Sequence, residues 1–247
     1  MNHHGSLAAA YATAIGLFLL GRLLVPGRRS LADHPSFAKP WMEFGLAILA
    51  AAATIGIGQL YLRGLLLSPE SRVIVASTNQ LLIFAPIVLL PALRRQGPET
   101  LYAPLRGFPL RLACGVALAL VALAVFSATR AGAPPLGVLL RETASPVRIP
   151  VAVQVLLEDL TIGLLLCRLA AALRRPLAAA AAVALLFVAG HVPSMIATGA
   201  SSADIARLSL DFGLALGALA AVVSSRDVVW FFPVHFAMDV TQFVAAP

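Results

Sequence analysis

Apolar residues occupy this chain in eight long runs, at about 6–25, 42–61, 73–93, 109–129, 149–172, 177–197, 204–223 and 228–245, and polar residues gather in the connections between them. An α-helix rises about 1.5 Å per residue, so roughly 20 apolar residues cross the ~30 Å hydrocarbon core of a bilayer. The pattern therefore predicts an all-α fold: a polytopic membrane protein of about eight transmembrane helices with a buried polar cavity. Residues 1–148 supply four helices and residues 149–247 four more, which leaves no room for a soluble domain.

Punctuation between the runs refines this. The connections 94–108 and 130–148 are rich in Pro, Gly and Arg and read as loops. Pro176 follows Arg174 and Arg175 and suits the first turn of the sixth helix, where a missing N–H costs nothing. The alanines from Ala178 to Ala182 fit close helix packing in lipid. Met1, Asn2, His3 and His4 precede the first run with no basic segment and no small-residue cleavage site, so this run reads as a retained helix. With no Cys near the C-terminus, the chain's own end is not a prenylation signal. Cys114 and Cys167 lie in apolar runs and read as small hydrophobes.

Composition agrees with a membrane protein, since 60% of the residues are hydrophobic and 12% charged. The net charge of +7 comes from basic residues scattered at helix ends, without the aromatic-interleaved patch that nucleic acid requires. No nucleic-acid partner is expected; membrane lipid is. Of the 18 Lys and Arg, Arg63, Arg72, Arg130, Arg141, Arg148 and Arg207 fall to the even-numbered connections, and the other 12, including Arg28, Arg29 and Arg168, to the odd-numbered ones. The excess puts the odd connections in the cytoplasm and both termini outside. Glu43, Arg63 and Glu70, near helix ends, read as residues snorkelling to the interface.

Glu158 and Asp159 break this pattern in the middle of the fifth run. A single Asp at the centre of a membrane helix costs about 2.5–3.5 kcal/mol on insertion scales, so two adjacent acids point to function. Adjacent helical residues diverge by about 100° while residues four apart share a face. One acid can thus enter a site as the other braces it, with Gln154 on the Glu158 side and Gly163 on the Asp159 side. His191 stands four residues after Phe187 in the sixth run, and His235 four before Asp239 in the eighth. Either histidine alone is compatible with an interhelical hydrogen bond, and Asp211 in the seventh run is compatible with a functional or a structural role.

In order and spacing these elements resemble the CPBP family of intramembrane endopeptidases, which includes CAAX prenyl proteases and bacterial Abi-type proteins. Its signature is Glu-Glu-x-x-x-Arg, then Phe-x-x-x-His, then His-x-x-x-Asn or a related small polar residue, each on its own helix. Glu158-Asp159, Phe187 to His191, and His235 to Asp239 occupy those places, and the resemblance covers about residues 150–245. Residues 1–148 would be the family-variable part and 149–247 the catalytic core. Asp159 replaces the second Glu, and Gly163 stands where the family has its Arg, so Asp159 is expected to lack an arginine partner; Arg168 lies on the opposite helix face.

The resemblance implies a glutamate-type peptide hydrolase in a bacterial plasma membrane, without a cofactor, acting on a membrane-associated protein or peptide. Glu158 would activate water, His191 would hold that water or relay its proton, and His235 with Asp239 would stabilise the oxyanion. An ionised Asp239 cannot donate a hydrogen bond as the family's Asn can, so it is expected instead to orient His235 or to be protonated. A zinc enzyme with Glu158, His191 and His235 as ligands is the mechanistic alternative. A catalytically inactive membrane protein, such as an immunity factor, chaperone or transporter, is the alternative of a different class. Counting 1.5 Å per residue from Arg148 puts Glu158 about 15 Å deep from the outer side, which favours substrates that have already been exported.

Overall fold

The computed structural model describes residues 3–24, 35–65 and 72–244, with side chains throughout except at 203–207 and 211. Arg28, Arg29 and Glu70, and the side chains of Arg207 and Asp211, lie outside the described residues. The described chain is helical and contains no strand. The helices are α1 (His3–Leu24), α2 (Pro40–Leu62), α3 (Val73–Ile83), α4 (Ala85–Leu93), α5 (Phe108–Thr129), α6 (Leu136–Thr143), α7 (Ile149–Leu173), α8 (Pro176–Ala197), α9 (Ser202–Ser225) and α10 (Phe231–Val244).

Six helices, α1, α2, α5, α7, α8 and the Leu208–Ser225 part of α9, are long and apolar enough to cross a membrane. The third expected helix is broken, with α3 and α4 meeting at a 53° bend. Pro86 in the first turn of α4 has no N–H to continue the α3 ladder, and its ring opposes the carbonyl four residues back. In place of the eighth, α10 has only 14 residues, about 21 Å of helix, because a turn occupies 226–230. The expected loop 130–148 contains the short helix α6, and the connection 94–108 contains a 3-10 turn, Pro98–Leu101. Pro176 opens α8 as its sequence context suggested.

α7 is the central element. It packs against α2, α3, α8 and α10, and from Ile162 to Ala170 every one of its residues is buried. Two glycines set its surroundings by close backbone approach. A Cβ on Gly163 would fall on the Leu101 carbonyl, and one on Gly115 of α5 would fall on the Trp230 carbonyl. The first approach seats the 3-10 turn against α7, and the second seats the 226–230 turn against α5. The two turns also join, the Val228 N–H donating to the Tyr102 carbonyl at 2.8 Å.

The 226–230 turn is built from polar groups that its sequence supplies. Asp227 Oδ1 accepts from the Val229 N–H at 2.9 Å, and Oδ2 pairs with Arg111 at 2.8 Å. Burial pushes the Asp227 carboxyl up from its ordinary value, and the Arg111 guanidinium opposes that shift. Trp230 donates to Ser225 Oγ at 3.1 Å while its ring stacks on Phe18 of α1 at 3.7 Å. This anchored turn fixes where α10 begins, and with it the height of His235.

Two assignments made from sequence are corrected at one end of the bundle. Glu43 is buried at the centre of an ion cluster instead of snorkelling: Oε1 accepts from Arg94 at 2.6 Å, and Oε2 accepts from Gln96 at 3.0 Å and lies 3.8 Å from Arg168 Nε. Arg168 belongs to no loop. It is fully buried within α7, donating to the Thr100 carbonyl at 2.9 Å and to Gln96, with Phe37 under its guanidinium. A connection cannot supply these partners, but α2, the end of α4 and the 3-10 turn together can. Its charge therefore does not count toward the odd-numbered connections.

Candidate active site

Glu158 and Asp159 divide as their 100° separation requires. Asp159 has no solvent exposure and turns toward α10, where the His235 Nδ1–H donates to its Oδ1 at 2.9 Å. An ionised carboxylate only accepts, so this bond places the proton on Nδ1. The expectation that Asp159 would be left without a partner for want of an arginine is thus corrected, the partner being a histidine from another helix. Gly163 is explained separately. With the Leu101 carbonyl against its Cα, no side chain fits there, arginine least of all.

His235 is clamped on several sides. Phe231 stacks on it at 5.4 Å and 27°, Phe187 approaches edge-on at 6.5 Å, and Nε2 lies 3.8 Å from Asp239 Oδ1. The orienting role considered for Asp239 falls to Asp159, which is nearer and fully buried. Asp239 instead accepts from Gln242 Nε2 at 3.3 Å. With Nδ1 committed, Nε2 is the nitrogen available for chemistry.

Glu158 accepts from Gln154 Nε2 at 2.9 Å, one helical turn away. Glu158, His235 and Asp239 each offer a ligand atom, and these atoms lie within 4.8 Å of one another. His191 is not part of that close group, so the zinc set expected from sequence changes, with Asp239 in place of His191. His191 is exposed; its Nδ1 donates to the Phe187 carbonyl at 2.8 Å and its ring packs edge-on to Phe187 at 4.7 Å.

Two cavities meet at these residues. One, of about 510 Å³, lies among α1, α7, α8, α9 and α10 and is lined by Glu158, His191, His235 and Asp239 together with His3, His4, Tyr11, Gln154 and Gln242. The other, of about 610 Å³ and more apolar, lies among α2, α3, α7 and α8, with Ile48, Ile55, Ile83 and Leu186 in its wall. Gln154, Glu158, Ile162, Phe187 and His191 line both. Glu158 is therefore part of the wall that the two cavities share, the second being the more apolar.

The sequence reading missed His3, His4, Tyr11 and Gln242 as lining residues. The adjacent histidines ahead of an otherwise apolar run were the available signal. Comparison with known protein families, curated proteins and solved structures yields no match for this chain.

Proposed function

We propose that this protein is an intramembrane endopeptidase of the glutamate type, hydrolysing a peptide bond near the end of a membrane-associated substrate such as a C-terminal sorting or anchor signal. The observation that carries the reading is Glu158 at the junction of two cavities, beside a histidine whose other nitrogen is held by a buried carboxylate. Glu158 takes a proton from water as the water oxygen bonds to the scissile carbonyl carbon, and the carbonyl electron pair moves onto its oxygen. His235, as an imidazolium, donates Nε2–H to that oxyanion while Asp159 balances its charge. Collapse breaks the C–N bond, and the proton held by Glu158 passes to the leaving amine. His191 holds the water from α8, and Asp159 acts through His235 as a positioning residue.

The same proposal includes eight membrane crossings, with α3 and α4 together forming a bent one and α10 a short one, and a polar cavity buried within them. It sets the protein in a bacterial plasma membrane with both termini outside. The test is Glu158→Gln, which keeps the shape of the side chain and removes the base. The purified variant in lipid nanodiscs should leave a membrane-anchored reporter peptide intact that the wild type cleaves, with unchanged thermal unfolding. Cleavage at the wild-type rate by the variant would refute the assignment.

A zinc-dependent form of the reaction is favoured by one observation, the proximity of Glu158, His235 and Asp239. The donor set fits: two carboxylates and an imidazole Nε2 whose Nδ1–H is held by Asp159, the usual support for a ligating histidine. Zinc bound there would supply Lewis acidity and a hydroxide nucleophile. The two forms require different states of His235, since a ligand must be a neutral ring and an oxyanion donor an imidazolium. Elemental analysis of the purified protein, with activity before and after a chelator, separates them: metal-free, chelator-resistant protein supports the glutamate form.

A further inference from the structure

Gln154 and Glu158 stand one turn apart on the same face of α7, and both line the two cavities. A helical side chain leans toward the turn before its own, so the Glu158 carboxyl points back toward position 154. There the Gln154 Nε2–H donates to Glu158 Oε1 at 2.9 Å. Among the described residues this is the one hydrogen bond that either side chain makes, so Glu158 Oε2 is left unpaired. A glutamine within a membrane span ordinarily ties one helix to another. Gln154 bonds only within α7, and an intrahelical pair at this spacing contributes little to stability. The bond does little for the fold; its effect falls on the carboxylate.

The neighbours of Glu158 show why that carboxylate needs holding. Glu158, His235 and Asp239 offer ligand atoms within 4.8 Å of one another, so a swing of about 2 Å would bring the Glu158 carboxylate to hydrogen-bond distance of the His235 ring. Opposite charges attract strongly across such a gap in a low-dielectric cavity, and closure would occupy the base and the oxyanion donor together. Asp239 bonds to Gln242, and His191 Nδ1 bonds to the Phe187 carbonyl, so neither restrains Glu158. Resting on the protease reading, we propose that Gln154 is a positioning residue: it holds Oε1 of Glu158, presents Oε2 to the reacting water, and keeps the carboxylate from closing onto His235.

The experiment uses full-length protein in lipid nanodiscs and the membrane-anchored reporter peptide. Gln154→Met keeps the length of the side chain and loses the donor, while Gln154→His offers an Nε2–H at about the same reach. The first two torsions of Glu158 have three staggered wells each, and a helix allows about two at the first, so an unheld side chain has about six arrangements. Gln154→Met should therefore lose about five- to tenfold in kcat with KM unchanged, and Gln154→His should recover most of that loss. Unfolding temperatures of both should stay within about 2 °C of wild type. Undiminished kcat in Gln154→Met, a rise in KM with kcat unchanged, or a loss of activity matched by a loss of stability overturns the positioning role.

Should wild type cleave no reporter, the protease reading fails, and infrared spectroscopy then decides the hold by itself. The Glu158 carboxyl band is isolated as the difference between each protein and its Glu158→Gln counterpart. A band displaced by Gln154→Met and returned by Gln154→His supports the hold, and a band indifferent to position 154 overturns it.

Discussion

Replacing Asp159 probes the site through a residue that never touches substrate. Its Oδ1 lies 2.9 Å from His235 Nδ1, and the side chain has no solvent exposure. Asp159→Asn keeps an acceptor oxygen in place, so the ring can stay oriented, but a bond to a charged partner becomes a neutral one. Such bonds are worth about 1.5–3 and about 0.5–1.5 kcal/mol net, so the change costs about 1–1.5 kcal/mol of imidazolium stabilisation, or roughly tenfold in kcat. Asp159→Leu removes the acceptor altogether and frees the ring to turn, for which a loss on the order of 100-fold is expected. KM should hardly move, since Asp159 makes no contact with the cavity. Thermal stability should not fall much for the Asn variant, because an amide is cheaper to bury than a carboxylate. The assay is steady-state cleavage in nanodiscs, with kcat and KM separated and Glu158→Gln as the inactive reference. Undiminished kcat in a folded Asp159→Leu protein, or Asp159→Asn as inactive as Glu158→Gln, would refute the positioning role.

The packing makes further claims. Gly163→Ala should destabilise the protein by about 1–3 kcal/mol, read as a lower unfolding temperature in detergent, because a Cβ meets the backbone of Leu101 and backbone cannot swing aside. Glu43→Leu should cost about 3 kcal/mol by leaving the fully buried Arg168 without its carboxylate. Arg94→Ala should cost under about 1 kcal/mol, since that side chain is 41% exposed, and denaturant unfolding of the two variants compares them directly. Cysteine labelling of a C-terminal tag from the outside of intact cells should succeed, and labelling only after lysis would reverse the orientation and the preference for exported substrates.

Most of the long helices were legible because hydrocarbon thickness imposes one simple rule on them. The two places where apolar length misled are places where other terms compete. At 73–93, Pro86 interrupts a run whose composition is continuous, and at 228–245 the polar turn of Ser225, Asp227 and Trp230 shortens the helix from its start. Glu158, Asp159, His191, His235 and Asp239 announced themselves by the expense of placing polar groups among apolar ones. Their pairing did not, because which acid holds which histidine depends on how α7 and α10 face each other. Gly163 was legible only as a missing arginine; its reason is the Leu101 carbonyl, brought from about 60 residues earlier in the chain. Glu43 and Arg168 were misjudged for a similar cause, as each is satisfied by elements distant in sequence.

The cluster around Glu43 has a mechanical consequence. α2 and α7 run antiparallel, so this ionic knot fastens the start of α2 to the end of α7, while the apolar compartment beside Glu158 is walled by the later part of α2, from Ile48 to Leu62. If the proposed substrate enters here, α2 would yield as a lever pinned at Glu43, with displacement growing along the helix, Ile55 lying about 18 Å and Leu62 about 28 Å beyond the pin. On the proposed function, admission of a substrate would then widen the rim at Leu62 more than the stretch of wall near Ile48, which lies close to the pin.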